Sequence, residues 1–358
     1  VLAVGLTACG GGKTASTPDT GSETTAAVSD AASGDEAGGK VAIKMATGGQ
    51  DTLPSYAAVI DVIADIEAAD SNVAFEYYGA RQLGDDDAIL QQVMSGTLQM
   101  GGLGASTLST YTNLMDAFTI PFLISDYDIE REAMKSEEAQ AIFDKIEGDL
   151  GVKVLASYDS GMRHLANNTR PITSVEDMKG LKMRVVPTDS LIDSFTAMGA
   201  NPSTMNYGEI YTGLQNKIID GEEINITSIY SEKHYEVLKY FTEIGLYPFE
   251  TVIVCNADWF NSLSPEVQQE LEEGFTKGYD YVFDKYLKDA EAKGYEAMEN
   301  AGLAFNFYAR LDNVFNWGDS YAFAWTSEEN FAGCDVFIFE SDFADFFFVN
   351  VQNAVFYF

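Results

Sequence analysis

The chain has two histidines, His164 and His234, and three cysteines, Cys9, Cys255 and Cys334, all far apart. A zinc site needs several such ligands at short spacing, and a serine or cysteine triad needs a histidine as base, so both chemistries have little to draw on. Cys255 and Cys334 make no disulfide framework, and whether they pair outside the cell stays open. Arginine offers more. Arg184 sits in the strand-like run 181–186, where Leu181, Met183 and Val185 take one face and Lys182, Arg184 and Val186 the other. A guanidinium is a planar fork of donors that grips a carboxylate through two hydrogen bonds and stays charged when water is excluded. Residue type alone favours a surface or structural ion pair for an arginine on a strand. Arg163 adjoins His164, which reads as a structural group rather than a base. Arg170 and Lys182 are spare cations, with Arg170, beside Pro171, expected at the surface.

A net charge of −35 and a pI near 4.1 argue against nucleic acid as a partner. They leave a small anion possible, because salt screens exposed charge beyond about 8 Å and a local pair of arginines can override a distant acidic surface. Hydrophobic residues make up 46% of the chain, enough for a substantial core. After the opening run Val1–Cys9, no apolar stretch approaches the roughly 18 to 20 residues that span a bilayer. Leu6-Thr7-Ala8-Cys9 resembles the lipobox of bacterial lipoproteins, so residues 1–9 are expected to be the end of a signal peptide with Cys9 as the lipidated residue. Residues 10–39 are small and polar without apolar period, a flexible linker.

From Lys40 onward short strand-like runs alternate with amphipathic helical ones, which predicts an α/β fold. Lys40–Met45, Asn72–Tyr78, the Leu98 region, Val152–Tyr158 and Leu181–Val186 read as strands. Residues 54–68 read as a helix with Ala58, Ile60, Val62, Ile63 and Ile66 inward. Asp85–Met94 reads as a second helix, with acidic residues at its N-terminus and Ile89, Leu90, Val93 and Met94 on its apolar face. Ser174-Val-Glu-Asp177 reads as a capping box closed by Gly180, and Asp189 as the cap of a helix ending at Gly199. Residues 265–300 read as one long helical region that Gly274 and Gly278 weaken and bend. After Lys293 the chain has no lysine, one arginine, ten acidic residues and 13 of its 23 phenylalanines. This atypical Phe-rich segment, residues 301–358, either packs aromatics across a domain junction or is a frame-shifted end.

Four blocks together resemble the solute-binding proteins of TRAP (tripartite ATP-independent periplasmic) transporters. They are Gln82-Leu-Gly-Asp85 with the run to Met100 and Ile120-Pro-Phe-Leu123; residues 161–185; residues 198–223; and Asn256-Ala-Asp-Trp259 with Leu263-Ser-Pro265. The resemblance covers about residues 40–300. It implies a two-domain, periplasmic-binding-protein-like fold of the flytrap type, with crossing hinge strands and a long domain-spanning helix. Domain I would be 40–162, with about 250–264 returning to it, domain II 163–250, and the connecting helix 265–300. It also implies a receptor, not an enzyme, without cofactor or metal, that delivers a small organic acid to small and large membrane subunits.

The resemblance makes Arg184 the residue that binds the ligand carboxylate, often joined by a second arginine whose place Arg163 takes. Glu223 follows as either a partner of ligand hydroxyls or a cap. The family's asparagine falls where this chain has Ile224, which leaves Asn225 one step late. Asp220-Gly221 reads as a tight turn. Weaker candidates are Gln50, after the first strand, Ser106 and Thr107, after the Leu98 strand, and the rings of Tyr207, Tyr211, Tyr247 and Phe249. A sugar acid such as a uronate is preferred slightly over a dicarboxylate, and a monomer is expected. Competing readings are a cell-surface lipoprotein enzyme acting on an acid and an adhesive lipoprotein.

Overall fold

The computed structural model describes residues 36–37, 40–69, 72–307, 315–317 and 321–323, so Cys9, Cys334 and most of the Phe-rich tail lie outside the described residues. Eleven strands form one mixed sheet: β1 (Glu36–Ala37), β2 (Lys40–Thr47), β3 (Val73–Tyr78), β4 (Met100–Gly104), β5 (Val152–Asn167), β6 (Lys182–Val185), β7 (Asn201–Thr204), β8 (Gly221–Asn225), β9 (Tyr240–Glu243), β10 (Pro248–Asn256) and β11 (Ala304–Phe307). A separate antiparallel pair joins Phe315–Trp317 and Tyr321–Phe323. The α-helices are α1 (Pro54–Ala68), α2 (Asp86–Met94), α3 (Tyr127–Met134), α4 (Glu137–Leu150), α5 (Asp189–Ala197), α6 (Ile210–Gln215), α7 (Ile226–Ser231), α8 (Ala257–Ser262), α9 (Pro265–Tyr281) and α10 (Leu287–Asn300).

The sheet has two halves that share β5. In the first, β2 lies between parallel β3 and β4, β4 pairs antiparallel with β10, and β10 with the earlier part of β5. From Arg163 to Asn167, β5 pairs instead with β8, and from Leu165 also with β9. β8 continues through β6 to β7, and β9 to β11. The change of partner falls beside Gly161, whose φ of +109° suits only glycine, and beside a register shift in β10 between Pro248 and Glu250. Sixteen residues of continuous strand thus cross from one half to the other.

Each half buries its own core. Ile43 and Met45 pack with Val59, Val62 and Ile63 of α1 and Leu271 and Phe275 of α9, while Leu90 and Val93 of α2 and Ile142 and Ile146 of α4 cover the opposite side. In the second half Met183 and Val185 pack on Leu191 and Phe195 of α5, and Ile224 and Phe241 on Ile210, Ile229 and Met298. Burying each such side chain contributes about 1.5–3 kcal/mol, which makes these stripes the main force holding helices on the sheet.

Several expectations need correction. Ile60 is 37% exposed, because one residue beyond Val59 it turns off the stripe of Val59, Ile63 and Ile66. Within the stretch assigned as linker, Glu36 and Ala37 pair with the start of β2. Thr188, not Asp189, takes the N-cap position of α5. Gly221 opens β8 instead of completing a turn, and a Cβ there would collide with the Ala166 carbonyl. Gly274 and Gly278 are places of close approach to Ile66 and Tyr158, and the interruption of the long helix is a π-helical turn at Val282–Tyr286.

Candidate functional site

Between the two halves lies a cavity of about 70 Å³. Leu53, Tyr56, Asp86, Gly104, Ser106 and Thr107 line it from the first half, and Arg184, Pro187, Met205, Asn206, Tyr207 and Ser228 from the second. Ser160, Arg163, Phe249 and Thr251 close it at the crossing strands.

Arg184 reaches the cavity from β6, on the face opposite Leu181. Its Nε and Nη2 donate to the Met205 carbonyl at 3.2 and 3.0 Å, which fixes the plane of the fork. Its Nη1 is buried without a hydrogen-bond partner among the described residues and stands 3.9 Å from Glu223 Oε1. Burial lowers the Arg184 pKa, Glu223 raises it and Arg163 lowers it again, so the net direction is down. A cation in that state gains from an incoming anion.

Arg163 is 2% exposed and borders the cavity from the crossing strand β5. Its Nε and Nη2 donate to Glu223 at 2.6 and 3.1 Å, its Nη1 donates to Asn225 Oδ1 at 3.0 Å, and the Phe249 ring lies 4.3 Å from its Cζ. Although burial alone would lower its pKa, the Glu223 carboxylate drives it up. Glu223 is itself buried and also accepts from the Val186 N–H and the Tyr247 hydroxyl, both at 2.9 Å. Asn225 donates to the Ser160 carbonyl and to Thr227. Glu223 and Asn225 are therefore not among the residues lining the cavity; they hold Arg163 in place from behind, and Glu223 makes only the 3.9 Å ionic contact with Arg184. Strand register brings this about, since Asn225 lies directly across from Arg163 in the β5–β8 pair.

The other candidates separate. Ser106, Thr107, Tyr207 and Phe249 line the cavity. Tyr247 lines an adjoining cavity of about 10 Å³ that shares Ser106 and Phe249 with the first. Gln50 is outside both, its carbonyl accepting from Leu53 N–H at 3.0 Å, and Tyr211 points away to Glu236. His164 accepts from the N–H groups of Ile244 and Gly245 at 3.2 and 3.1 Å, and burial with the Arg163 charge pushes its pKa down to about 3, so it stays neutral. Arg170 ties down the carbonyls of Asp177 and Lys179 from a half-buried position. Cys255 is a buried free thiol whose pKa burial raises.

Asp86 escaped the sequence reading, which took it only as an acid suited to a helix N-terminus. Its Oδ2 accepts from Gly104 N–H at 2.9 Å, and its Oδ1 is closed to solvent and has no hydrogen-bond partner. Burial raises its pKa to about 6 against the lowering effect of the Gly104 bond. The signal was present in the run Asp85-Asp86-Asp87, all three of which line the cavity, with Asp86 the one held against Gly104 N–H. Among the described residues no His, Cys, Asp and Glu group is arranged to hold a metal ion, and no helix is long and apolar enough to cross a membrane.

Two sheet halves joined by a crossing strand, with a cavity and a buried arginine between them, are the arrangement of a two-domain binding protein. Residues 54–311 match the family model of DctP, bacterial extracellular solute-binding protein, family 7, and the chain belongs to that family. It is 30% identical over 221 residues to the 2,3-diketo-L-gulonate-binding periplasmic protein YiaO of Escherichia coli K12, covering 62% of this chain and 67% of that one. It is 31% identical over 207 residues to the C4-dicarboxylate-binding periplasmic protein DctP of Vibrio cholerae, covering 57% and 61%. The chain thus spans about three-fifths to two-thirds of these relatives. A TRAP periplasmic solute binding protein from Pseudomonas putida F1, solved with bound D-glucuronate, superposes with a TM-score of 0.71 at 27% identity, covering 75% of this chain and 88% of that one. The protein is an extracytoplasmic solute-binding receptor with the two-domain α/β fold of that group, and not an enzyme.

Proposed function

We propose that the protein captures a small hydroxylated organic acid, a uronate-type sugar acid before a plain dicarboxylate, and hands it to the small and large membrane subunits of a TRAP transporter. The observation that carries this is the Nη1 of Arg184, buried at the cavity and without a hydrogen-bond partner while its other donors are fixed on Met205. A ligand carboxylate supplies the acceptor that group lacks. Asp86 Oδ1 supports the hydroxylated ligand over the plain one, since a buried acceptor without a donor is satisfied by a hydroxyl. The relatives that bind diketogulonate, C4-dicarboxylates and glucuronate fall in the same chemical class.

Residues 40–162 and 163–250 act as the two jaws in this proposal, with Cys9 as lipid anchor and a monomer as the working unit. The order apolar run, lipobox-like Leu6-Thr7-Ala8-Cys9 and polar stretch supports the anchor.

Calorimetric titration with D-glucuronate tests the ligand class. Removing one partner from a buried pair costs about 3–5 kcal/mol, so Arg184→Ala is expected to weaken binding by roughly two to three orders of magnitude, with Arg184→Lys recovering part. Unchanged affinity in a folded Arg184→Ala protein sinks the assignment.

A further inference from the structure

Apart from the ligand cavity, one cluster of polar groups stands out in the core. Glu130 on α3 and Asp159 on β5 are fully buried, and Glu250 on β10 is 4% exposed. Asp159 and Glu250 face each other in the β5–β10 register, next to the shift that marks the crossing. The Glu130 carboxyl acts on both electrostatically from α3. Asp159 Oδ1 accepts from Gly161 N–H, and Glu250 Oε2 from the Ser157 hydroxyl. Both oxygens of Glu130, Asp159 Oδ2 and Glu250 Oε1 receive no bond from any donor among the described residues. Carboxylates cannot satisfy one another unless one of them carries a proton.

Among the described residues no cation bonds to the unpartnered oxygens of the three, and Lys135, which follows α3, lies over the Tyr279 ring at 5.2 Å. Tyr127 of α3 spends its hydroxyl on Glu291 of α10 at 2.6 Å and accepts from Met162 N–H. Tyr279 of α9 faces the trio with a buried hydroxyl that has no hydrogen-bond partner. Arg131, also on α3, stacks its guanidinium over Phe283 at 4.6 Å and forms no ion pair with the three. Glu250 also lines the cavity of about 10 Å³, near the minimum that holds one water, which adjoins the ligand cavity through Ser106 and Phe249.

We infer that Glu130, Asp159 and Glu250 hold shared protons at the crossing strands, and that closing the cleft over a ligand takes up protons which opening releases. Opening brings water through the adjoining cavity to Glu250, which favours the ionised forms, and closing expels it. Burial, followed by the neighbouring carboxylates, raises the Glu130 pKa; burial raises Glu250; and burial, with the charge of Glu250, raises Asp159 to about 7. Unfolded carboxyls titrate near 4. In the window between, the folded state binds more protons than the unfolded one, so the stabilisation is complete below pH of about 4 and is lost as the pH rises through about 7.

The cleft-linked half of this inference rests on the receptor reading above, and the proton-holding half does not. Thermal melts of the full, ligand-free chain test the second. Wild-type Tm is expected to fall by roughly 3–6 °C between pH of about 5.5 and 8. Glu130→Gln and Glu250→Gln should flatten that slope and melt higher than wild type at the alkaline end, because glutamine is the neutral isostere of a protonated glutamate. Variants that melt lower at every pH, or do not fold, overturn the inference, as does an infrared spectrum of wild type at neutral pH without a protonated-carboxyl band. Calorimetry with D-glucuronate in phosphate and in Tris tests the first half: wild type should take up protons on binding and Glu250→Gln fewer, with Asp86 common to both. Equal uptake overturns the link to the cleft. No binding by either protein removes the sugar-acid reading and leaves the trio to be judged by the melts.

Discussion

Two buried guanidiniums stand near one carboxylate, Glu223, and divide it unequally. Arg163 takes both of its oxygens at hydrogen-bonding distance and Arg184 only an ionic contact at 3.9 Å. One positive charge is therefore neutralised inside the protein, while the other has only the 3.9 Å contact and is the one the proposed ligand carboxylate would meet. Arg163→Ala should accordingly act on the fold: stranding Glu223 costs about 3–5 kcal/mol of unfolding free energy, read from a denaturant midpoint, and more than Arg184→Ala costs by the same measure. A variant at Arg163 with wild-type stability and no binding would make it a ligand contact instead. The side of the strand on which Arg184 lies was legible, because alternation fixes it. The role of Glu223 was not, since it depends on a pairing partner 60 residues away in the chain, a distance no local pattern reports.

Elements meet across the cleft at Arg81 and Glu232. Arg81 follows β3 in the first half, and Glu232 follows α7 in the second. They form a two-bond pair at 2.9 and 2.8 Å with side chains only 17% and 10% exposed, and Arg81 also lies over the Tyr207 ring. Ala80 and Arg81 both have positive φ, 51° and 63°, an arrangement that costs non-glycine residues about 1–3 kcal/mol each. The pair, which joins the two halves, offsets part of that cost. Glu232→Gln is expected to speed release of D-glucuronate about three- to tenfold in stopped-flow traces while leaving association nearly unchanged. A slower association with unaltered release would place the pair in steering rather than in closure. Nothing in the Gly79-Ala80-Arg81 sequence announces left-handed backbone, so this latch was not legible. The helices α1 and α2 were, because their apolar stripes repeat at the helical period.

At the scale of the molecule, the α/β class followed from alternating periods, but the crossing did not. The strand pattern at Val152–Tyr158 runs into Asp159, Ser160 and Gly161, which read locally as an ending, yet β5 continues to Asn167 because both sheet halves supply it with partners. The proposed anchor belongs to this scale too, for it concerns where the folded body is held and not how it binds. Cys9→Ser in the full chain expressed in a bacterial host should move the protein from the membrane to the soluble fraction with its glucuronate affinity intact; retention in the membrane would remove the anchor. The π-helical turn at Val282–Tyr286 has a wider effect. Its wider loop adds one residue to the winding, and each residue advances a helix by about 100°. Before the turn, Val267, Leu271, Phe275 and Tyr279 face the core of the first half, and after it Gly294 and Met298 face α7 and the core of the second. One continuous rod thus presents two differently phased stripes to two cores, and the length of that turn works as the phase setting between them.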